Sequence, residues 1–272
     1  MIIDGRAIAA DLLRQTKQRA ERLGRVPLVR AITCAPSPAT LSYLRIKERR
    51  AEEAGMQLSV VTLPETATEE DFIDAIGAPG ADAVIVQLPL PEALDTERIV
   101  NSIPEHLDAD VLSDTSYGAF LHAETDVLPP VVLAVKEILE RSNVSLYEKK
   151  CVVVGSGKLV GRPVASWLLR QGAQVLVVTS VEASKQELLN ADVVVLGVGK
   201  PGLIDSSFLK QGVVLIDAGT SESGGQVVGD AHPSCAEVAS VFTPVPGGVG
   251  PIAVACLFRN VVTLLERTLQ ES

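Results

Sequence analysis

Tyr43 and Lys47 stand four residues apart in a segment whose apolar spacing reads as helix, so ring and ammonium share one face, the ring one turn earlier. A lysine set in a cleft loses hydration, its pKa falls, and it can then exchange protons near neutrality. Taken alone the pair is more often an ordinary helix-surface pair. Gln87 is the next residue placed for chemistry. It closes the apolar run 83–87 and is followed by Leu88-Pro89-Leu90-Pro91, whose prolines stop both a continued ladder and an immediate helix. A polar amide is thereby held at a strand C-terminus, where open α/β sheets bind ligands. The plain alternative is a strand-terminating turn.

A second pattern is Gly155-Ser156-Gly157-Lys158-Leu159-Val160-Gly161-Arg162-Pro163, between the strand-like run 150–154 and a helix predicted over 160–170. In that setting the glycines permit a tight turn and close approach of a phosphate. Helix amides and dipole supply an anion site, and Pro163 suits a first turn that does not need its N–H. The glycine spacing is one residue longer than the common dinucleotide fingerprint, and a turn without ligand is the alternative. At the end of the following strand an acid would select NAD and a cation NADP. Thr179-Ser180-Val181-Glu182 offers hydroxyls first and a carboxylate late, with Lys158 and Lys185 as cations that could compensate, so the residues leave that choice open. A third segment, Thr243-Pro-Val-Pro-Gly-Gly-Val-Gly-Pro251, packs three prolines and three glycines into nine residues, a rigid loop with exposed amides rather than a linker.

The elements that must position these residues alternate. Helices are predicted over 6–23, 40–54, 69–76 and 130–141, and strands over 28–34, 57–63 and 83–87. The connection before residue 130 has no readable pattern. The second half restarts with strands at 150–154, 174–179, 191–196 and 213–217, short helices between them, and a final amphipathic helix over 251–269. A polar stretch at 142–148 is the natural boundary between two α/β domains.

Composition narrows the partners. With 272 residues, 47% of them apolar, the chain can bury one large core or two modest ones. A net charge of -10 and the lack of any basic run make nucleic acid an unexpected partner. No apolar stretch is read as reaching the roughly 18 to 20 residues that span a bilayer, and Met1-Ile2-Ile3-Asp4-Gly5 is not a leader pattern, so a cytoplasmic protein with no membrane partner is expected. Cys34, Cys151, Cys235 and Cys256 are scattered singly and read as reduced packing residues. His106, His122 and His232 are far apart, and no metal site is expected.

Six motifs together resemble one family. Tyr43-Leu-Arg-Ile-Lys47, Gln87-Leu-Pro-Leu-Pro91, Asp108-Ala-Asp110, Val160-Gly-Arg-Pro163, Val198-Gly-Lys-Pro-Gly202 and the 243–251 loop match, in order and across essentially the whole chain, the bifunctional methylenetetrahydrofolate dehydrogenase/cyclohydrolases. The resemblance implies a two-domain α/β fold: a folate and catalytic domain over 1–142, to which the C-terminal helix 251–272 returns, and a Rossmann-type parallel-sheet domain over 143–250. It implies oxidation of 5,10-methylenetetrahydrofolate with NADP, hydrolysis of the methenyl product to 10-formyltetrahydrofolate, and a homodimer through the second domain.

By the same resemblance Lys47, Tyr43, Gln87 and Asp110 are the catalytic set. Lys47 activates water and handles protons, Gln87 tunes it, Tyr43 lies against the folate and Asp110 holds the pterin. Substrate binding falls to Tyr43, Gln87, Leu88, Asp110, Pro246, Gly247 and Gly250, and cofactor binding to Gly155, Ser156, Gly157, Val160, Gly161, Ser180, Gly199 and Thr220. Departures cluster away from Lys47. The family's Asp-Val-Asp-Gly is here Asp108-Ala-Asp-Val111, and its Pro-Cys-Thr-Pro is Asp126-Val-Leu-Pro129. Gly157 replaces a Ser, Ser156 an Arg that often contacts the 2'-phosphate, and Thr179-Ser180 a His-Ser or His-Arg pair. Two further readings follow from these changes: a cyclohydrolase with weak or NAD-preferring dehydrogenase activity, and a non-catalytic folate-binding paralogue.

Overall fold

Helix α1 (Gly5–Glu21) leads into three parallel strands, β1 (Leu28–Cys34), β2 (Gln57–Leu63) and β3 (Ala83–Val86), in a computed structural model that describes residues 1–271. The sheet order is β2-β1-β3, with β1 hydrogen-bonded to both neighbours. β3 is buried along its whole length, which is why its sequence is a continuous Ala-Val-Ile-Val run rather than an alternating one. Between β1 and β2 lies α2 (Pro38–Glu53), started by the Ser37 hydroxyl, which accepts from the Thr40 N–H, and by Pro38 in its first turn. Its buried positions are Leu44, Lys47 and Ala51, so Lys47 sits on the stripe that ordinarily carries apolar side chains.

Helix α3 (Glu69–Gly77) carries a reciprocal cap between Thr68 and Asp71, and with β1 and β3 it buries Ile32, Phe72, Ile76 and Val84. The segment without a readable pattern contains α4 (Thr96–Val100), a 3-10 turn at Glu105–Leu107 and α5 (Asp114–Leu121). They are too short to show a helical period, and their starts are set by side-chain caps, Asp95 on the Arg98 N–H and Ser113 on the Ser116 N–H.

After α6 (Pro130–Arg141), a five-stranded parallel sheet forms from β4 (Lys150–Val154), β5 (Gln174–Val178), β6 (Val193–Leu196), β7 (Val214–Asp217) and β10 (Val241–Phe242), in the order β10-β7-β6-β4-β5. Helices α7 (Gly161–Arg170), α8 (Lys185–Asn190) and α9 (Cys235–Val238) accompany it, and β8 (Ser221–Ser223) and β9 (Gln226–Val228) make an exposed hairpin. Ile2 bridges Phe242 and lengthens the β10 edge. The core here is Val152, Val154, Val194, Leu196 and Leu215. All four cysteines are free and buried, and among the described residues no cluster of His, Cys, Asp or Glu could hold a metal.

By contacts the chain divides into a five-stranded unit, Met1–Ala9 with Val131–Ala253, and a three-stranded unit, Ala10–Pro130 with the residues from Val254 on. The last helix, α10 (Val249–Glu271), thus returns to the three-stranded unit, where Arg19 of α1 pairs with Glu266 at 2.6 Å and donates to the Thr263 hydroxyl. This division places Met1–Ala9 and 131–142 with the five-stranded unit, unlike the boundary read at 142–148. One expectation is corrected. The stretch Val249–Gln270 is long and apolar enough by composition to cross a membrane, but 67% of its most apolar window is buried inside the protein, which accounts for its apolar character.

Candidate active site

In both sheets the chain leaves a strand to one side and later returns on its other side, and such switch points form crevices at the strand C-terminal ends. In the three-stranded unit the switch lies between β1 and β3, and Gln87 is the first residue after β3, its N–H donating to the Ile32 carbonyl at 2.9 Å. The Gln87 side chain is oriented at both ends. Its Nε2 donates to the Leu88 carbonyl at 2.8 Å, which leaves Oε1 to accept from the Lys47 Nζ at 3.0 Å. Lys47 is 5% exposed, and its ammonium also lies 5.1 Å from the centre of the Tyr43 ring, within cation–π range. The expected set of Tyr43, Lys47, Gln87 and Leu88 therefore comes together.

Burial is the main cause that pulls the Lys47 pKa below the ordinary lysine range, and the Asp110 carboxylate opposes it. For Asp110 burial pushes the carboxyl up, Lys47 pulls it down, and Asp108 pushes it up again. The Tyr43 phenol is pushed up to about 12, by dehydration first and by Asp110 second, although 41% of the residue remains exposed. A buried lysine poised toward its neutral form beside an aromatic face and a carboxylate is an arrangement for moving protons rather than for storing charge.

Asp110 sits on a loop that is braced from both sides. The Asp108 carboxylate, 1% exposed, accepts from the Leu112 and Ser113 N–H groups at 3.0 and 2.9 Å. Asn260 of α10, 2% exposed, donates to the carbonyls of Ala109 and Leu128 at 2.9 and 2.8 Å. Val111 adopts φ of +57°, a left-handed conformation that a β-branched residue rarely takes. Glycine would take this conformation without strain, and it is the residue that the resemblance noted above leads one to expect at this position. No hydrogen bond within the described residues engages the Asp110 carboxylate, which leaves its lone pairs for a ligand.

In the five-stranded unit the switch lies between β4 and β6. Gly155 follows β4 with φ of +103°, and a Cβ there would stand 2.8 Å from the Gly197 carbonyl oxygen. At Gly161 a Cβ would stand 2.1 Å from the Gly155 carbonyl oxygen, so α7 approaches the turn as closely as backbone allows. A Cβ at Gly157 would meet nothing within 4 Å. The turn is thus tight on its protein side and open beyond Gly157, and among the described residues no side chain caps Val160 at the start of α7. These features fit a dinucleotide pyrophosphate on Gly155, Ser156, Gly157, Val160 and Gly161.

Ser180 lies exposed just past β5, its hydroxyl accepting from the Ala183 N–H. Lys185, a candidate to meet a 2'-phosphate, instead stacks its ammonium 4.7 Å from the Phe208 ring centre. Gly199 and Thr220 meet, a Cβ on the former falling 3.4 Å from the carbonyl oxygen of the latter. In the 243–251 loop Pro246 is exposed, Gly247 has φ of +108° and accepts the Gly5 N–H at 2.9 Å, and Gly250 lies in the first turn of α10 with open space at its Cα.

Two family models cover the chain: the catalytic domain of tetrahydrofolate dehydrogenase/cyclohydrolase matches residues 3–110, and its NAD(P)-binding domain matches residues 129–269. The chain belongs to the tetrahydrofolate dehydrogenase/cyclohydrolase family. A family relative in Thermus thermophilus, named bifunctional protein FolD, is 34% identical over 264 residues that span 95% of this chain and 94% of that one. Among solved structures, the bifunctional FolD methylenetetrahydrofolate dehydrogenase/cyclohydrolase of Campylobacter jejuni has a TM-score of 0.93 at 29% identity, covering 98% and 99% of the two chains. The Trypanosoma brucei member, solved with NADP cofactor and inhibitor, has a TM-score of 0.92 at 31% identity over 99% and 98%.

Sequence reading missed the residues that brace the Asp110 loop and the loops of Gly199 and Thr220. Asn260 carried a usable signal, a lone amide inside the apolar run of α10, since a buried Asn requires partners. Asp217 and Asp230, both almost fully buried near the Gly199 and Thr220 loops, carried none, because nothing in their neighbours marks a carboxylate whose partners are all backbone amides.

Proposed function

We propose that this protein oxidises 5,10-methylenetetrahydrofolate with NADP and hydrolyses the resulting 5,10-methenyltetrahydrofolate to 10-formyltetrahydrofolate. The observation that carries this reading is the buried Lys47 ammonium, 3.0 Å from the Gln87 Oε1 and 5.1 Å from the Tyr43 ring centre, in a chain matched along its length by this family. Methenyltetrahydrofolate is an amidinium-like cation. As a water oxygen bonds to its one-carbon centre, a proton must leave, and neutral Lys47 takes it. When the bond from that carbon to N5 breaks, the Lys47 ammonium returns a proton to N5, and the hydroxyl proton of the adduct is released to solvent as the formyl C=O forms.

Gln87 holds the lysine in line, and its own orientation comes from the Leu88 carbonyl. Tyr43 offers the pterin an aromatic face, while the unengaged Asp110 carboxylate accepts from the pterin amino and ring N–H groups. Pro246, Gly247 and Gly250 complete the folate-binding set. NADP, when bound, supplies the hydride acceptor, and the chain contributes orientation at the glycine turn, Ser180, Gly199 and Thr220. Further support for NADP is the nucleotide in the T. brucei relative.

A cytoplasmic homodimer formed through the five-stranded unit is part of the same proposal. It is supported by the apolar, exposed Leu176 and Val177 on the edge strand β5, an unpaired edge that a second copy would cover. The test is absorbance-monitored turnover of methylenetetrahydrofolate with NADP and with NAD. Turnover that favours NADP is expected. Faster turnover with NAD would overturn the cofactor assignment, and no turnover with either would overturn the oxidation itself.

A further inference from the structure

Three successive backbone N–H groups, those of Val198, Gly199 and Lys200, converge on one carboxylate of this chain. The Asp230 Oδ2 accepts from Val198 at 2.7 Å and from Gly199 at 3.2 Å, and its Oδ1 accepts from Lys200 at 2.7 Å. Consecutive amides arranged around an oxygen form a nest, the geometry by which loops bind external anions. Here the anion is internal and 0% exposed. The loop carrying Thr220 lies on the same carboxylate, since a Cβ at Gly219 would fall 2.2 Å from the Asp230 Cγ. Asp217 steadies the far side by accepting from the Gly219 and Ala231 N–H groups at 3.0 and 2.8 Å.

We propose that Asp230 is a positioning residue for nucleotide binding: it fills the amide nest of the 198–200 loop from within, shapes that loop together with the Thr220 loop, and denies the nest to cofactor phosphate. The inference rests on the NADP reading above and sharpens it. With its three amides engaged, the 198–200 loop presents the exposed Val198 side chain, a surface for the uncharged parts of the nucleotide rather than for phosphate. Phosphate recognition is then left to the glycine turn at 155–161.

The test compares NADPH binding, read by its fluorescence, in the wild type and in Asp230→Asn, alongside methenyltetrahydrofolate hydrolysis, which uses no nucleotide. Asn keeps the shape but offers one acceptor oxygen instead of two. The NADPH Kd is expected to rise about tenfold, the loss of one to two charge-assisted hydrogen bonds' worth of loop order, while hydrolysis changes less than twofold. Asp230→Glu should not rescue, because the nest and Gly219 leave no room for a further methylene. An unchanged Kd in Asp230→Asn, or equal losses of affinity and hydrolysis in a folded variant, would overturn the proposal.

Amide hydrogen exchange in the nucleotide-free wild type decides the matter even if the variant does not fold. Protected N–H groups at 198, 199 and 200 are expected, and free exchange there would refute the internal anion. A wild type that exchanges slowly at these amides yet binds no NADPH would instead sink the NADP reading and, with it, the role assigned to Asp230.

Discussion

Lys47 shows how one residue's chemistry depends on which face of its helix it occupies. On the solvent face a lysine is a hydrated cation, but on the buried stripe of α2, between Leu44 and Ala51, its charge is costly and its pKa falls. A base must be neutral to accept a proton, so methenyl hydrolysis should rise with pH through the lowered Lys47 pKa and fall below it. A rate that declines over the same range as pH rises would contradict this. Gln87→Glu, which sets a carboxylate against the ammonium, should move the profile to higher pH by favouring the charged lysine. Val111 supports a prediction of another kind. At φ of +57° glycine should be the better small residue, so Val111→Gly should be about 1 kcal/mol more stable than Val111→Ala in urea unfolding, the reverse of the usual order. Equal stabilities, or Ala ahead, would remove the argument that Val111 occupies the family's glycine position.

At the scale of elements, the strands and long helices were legible because each has a period or a continuous apolar run, and the helix predicted over 130–141 matches α6 residue for residue. Lys47 and Gln87 could be placed on a helix face and at a strand end for the same reason. What could not be read was the braced loop that carries Asp110. Its order comes from single side chains, Asp108 holding backbone amides a few residues on and Asn260 reaching backbone carbonyls distant in sequence, and α4 and α5 are defined by caps rather than periodicity. Asn260→Leu would deprive the buried Ala109 carbonyl and the partly buried Leu128 carbonyl of this donor. It should cost about 2–4 kcal/mol in urea unfolding. Since Asn260 braces the loop beside Asp110, the KM for methylenetetrahydrofolate should rise as well; a loss of stability with KM unchanged would show that Asn260 braces the fold alone.

At the scale of the whole molecule, composition correctly anticipated room for two cores, and the two parallel sheets each use a switch point to gather polar residues at strand ends. The sequence reading underrated one stretch, the 23-residue α10, which is long and apolar enough by composition to span a bilayer because a helix covered by protein has much the same composition as one covered by lipid. Buried acids also give the fold a pH dependence. Burial raises the Asp217 carboxyl to about 6, with its backbone donors opposing and Asp230 adding to the rise. A folded pKa above the unfolded one means that the contribution is fully present below about pH 4 and is lost as pH rises through 6. The stability of wild type relative to Asp217→Asn should therefore be greater at pH 5 than at pH 7.5, by about 1 kcal/mol, when both are unfolded in urea. A difference that does not change with pH would place the Asp217 titration elsewhere.

The central claim is that buried Lys47 performs the proton transfers of methenyl hydrolysis, and it is tested most directly by the absorbance decay of 5,10-methenyltetrahydrofolate with wild type and Lys47→Ala at equal concentration. The wild type should accelerate hydrolysis and the variant should lose at least about 100-fold of that rate while still binding NADPH. Hydrolysis by Lys47→Ala at the wild-type rate would contradict the assignment.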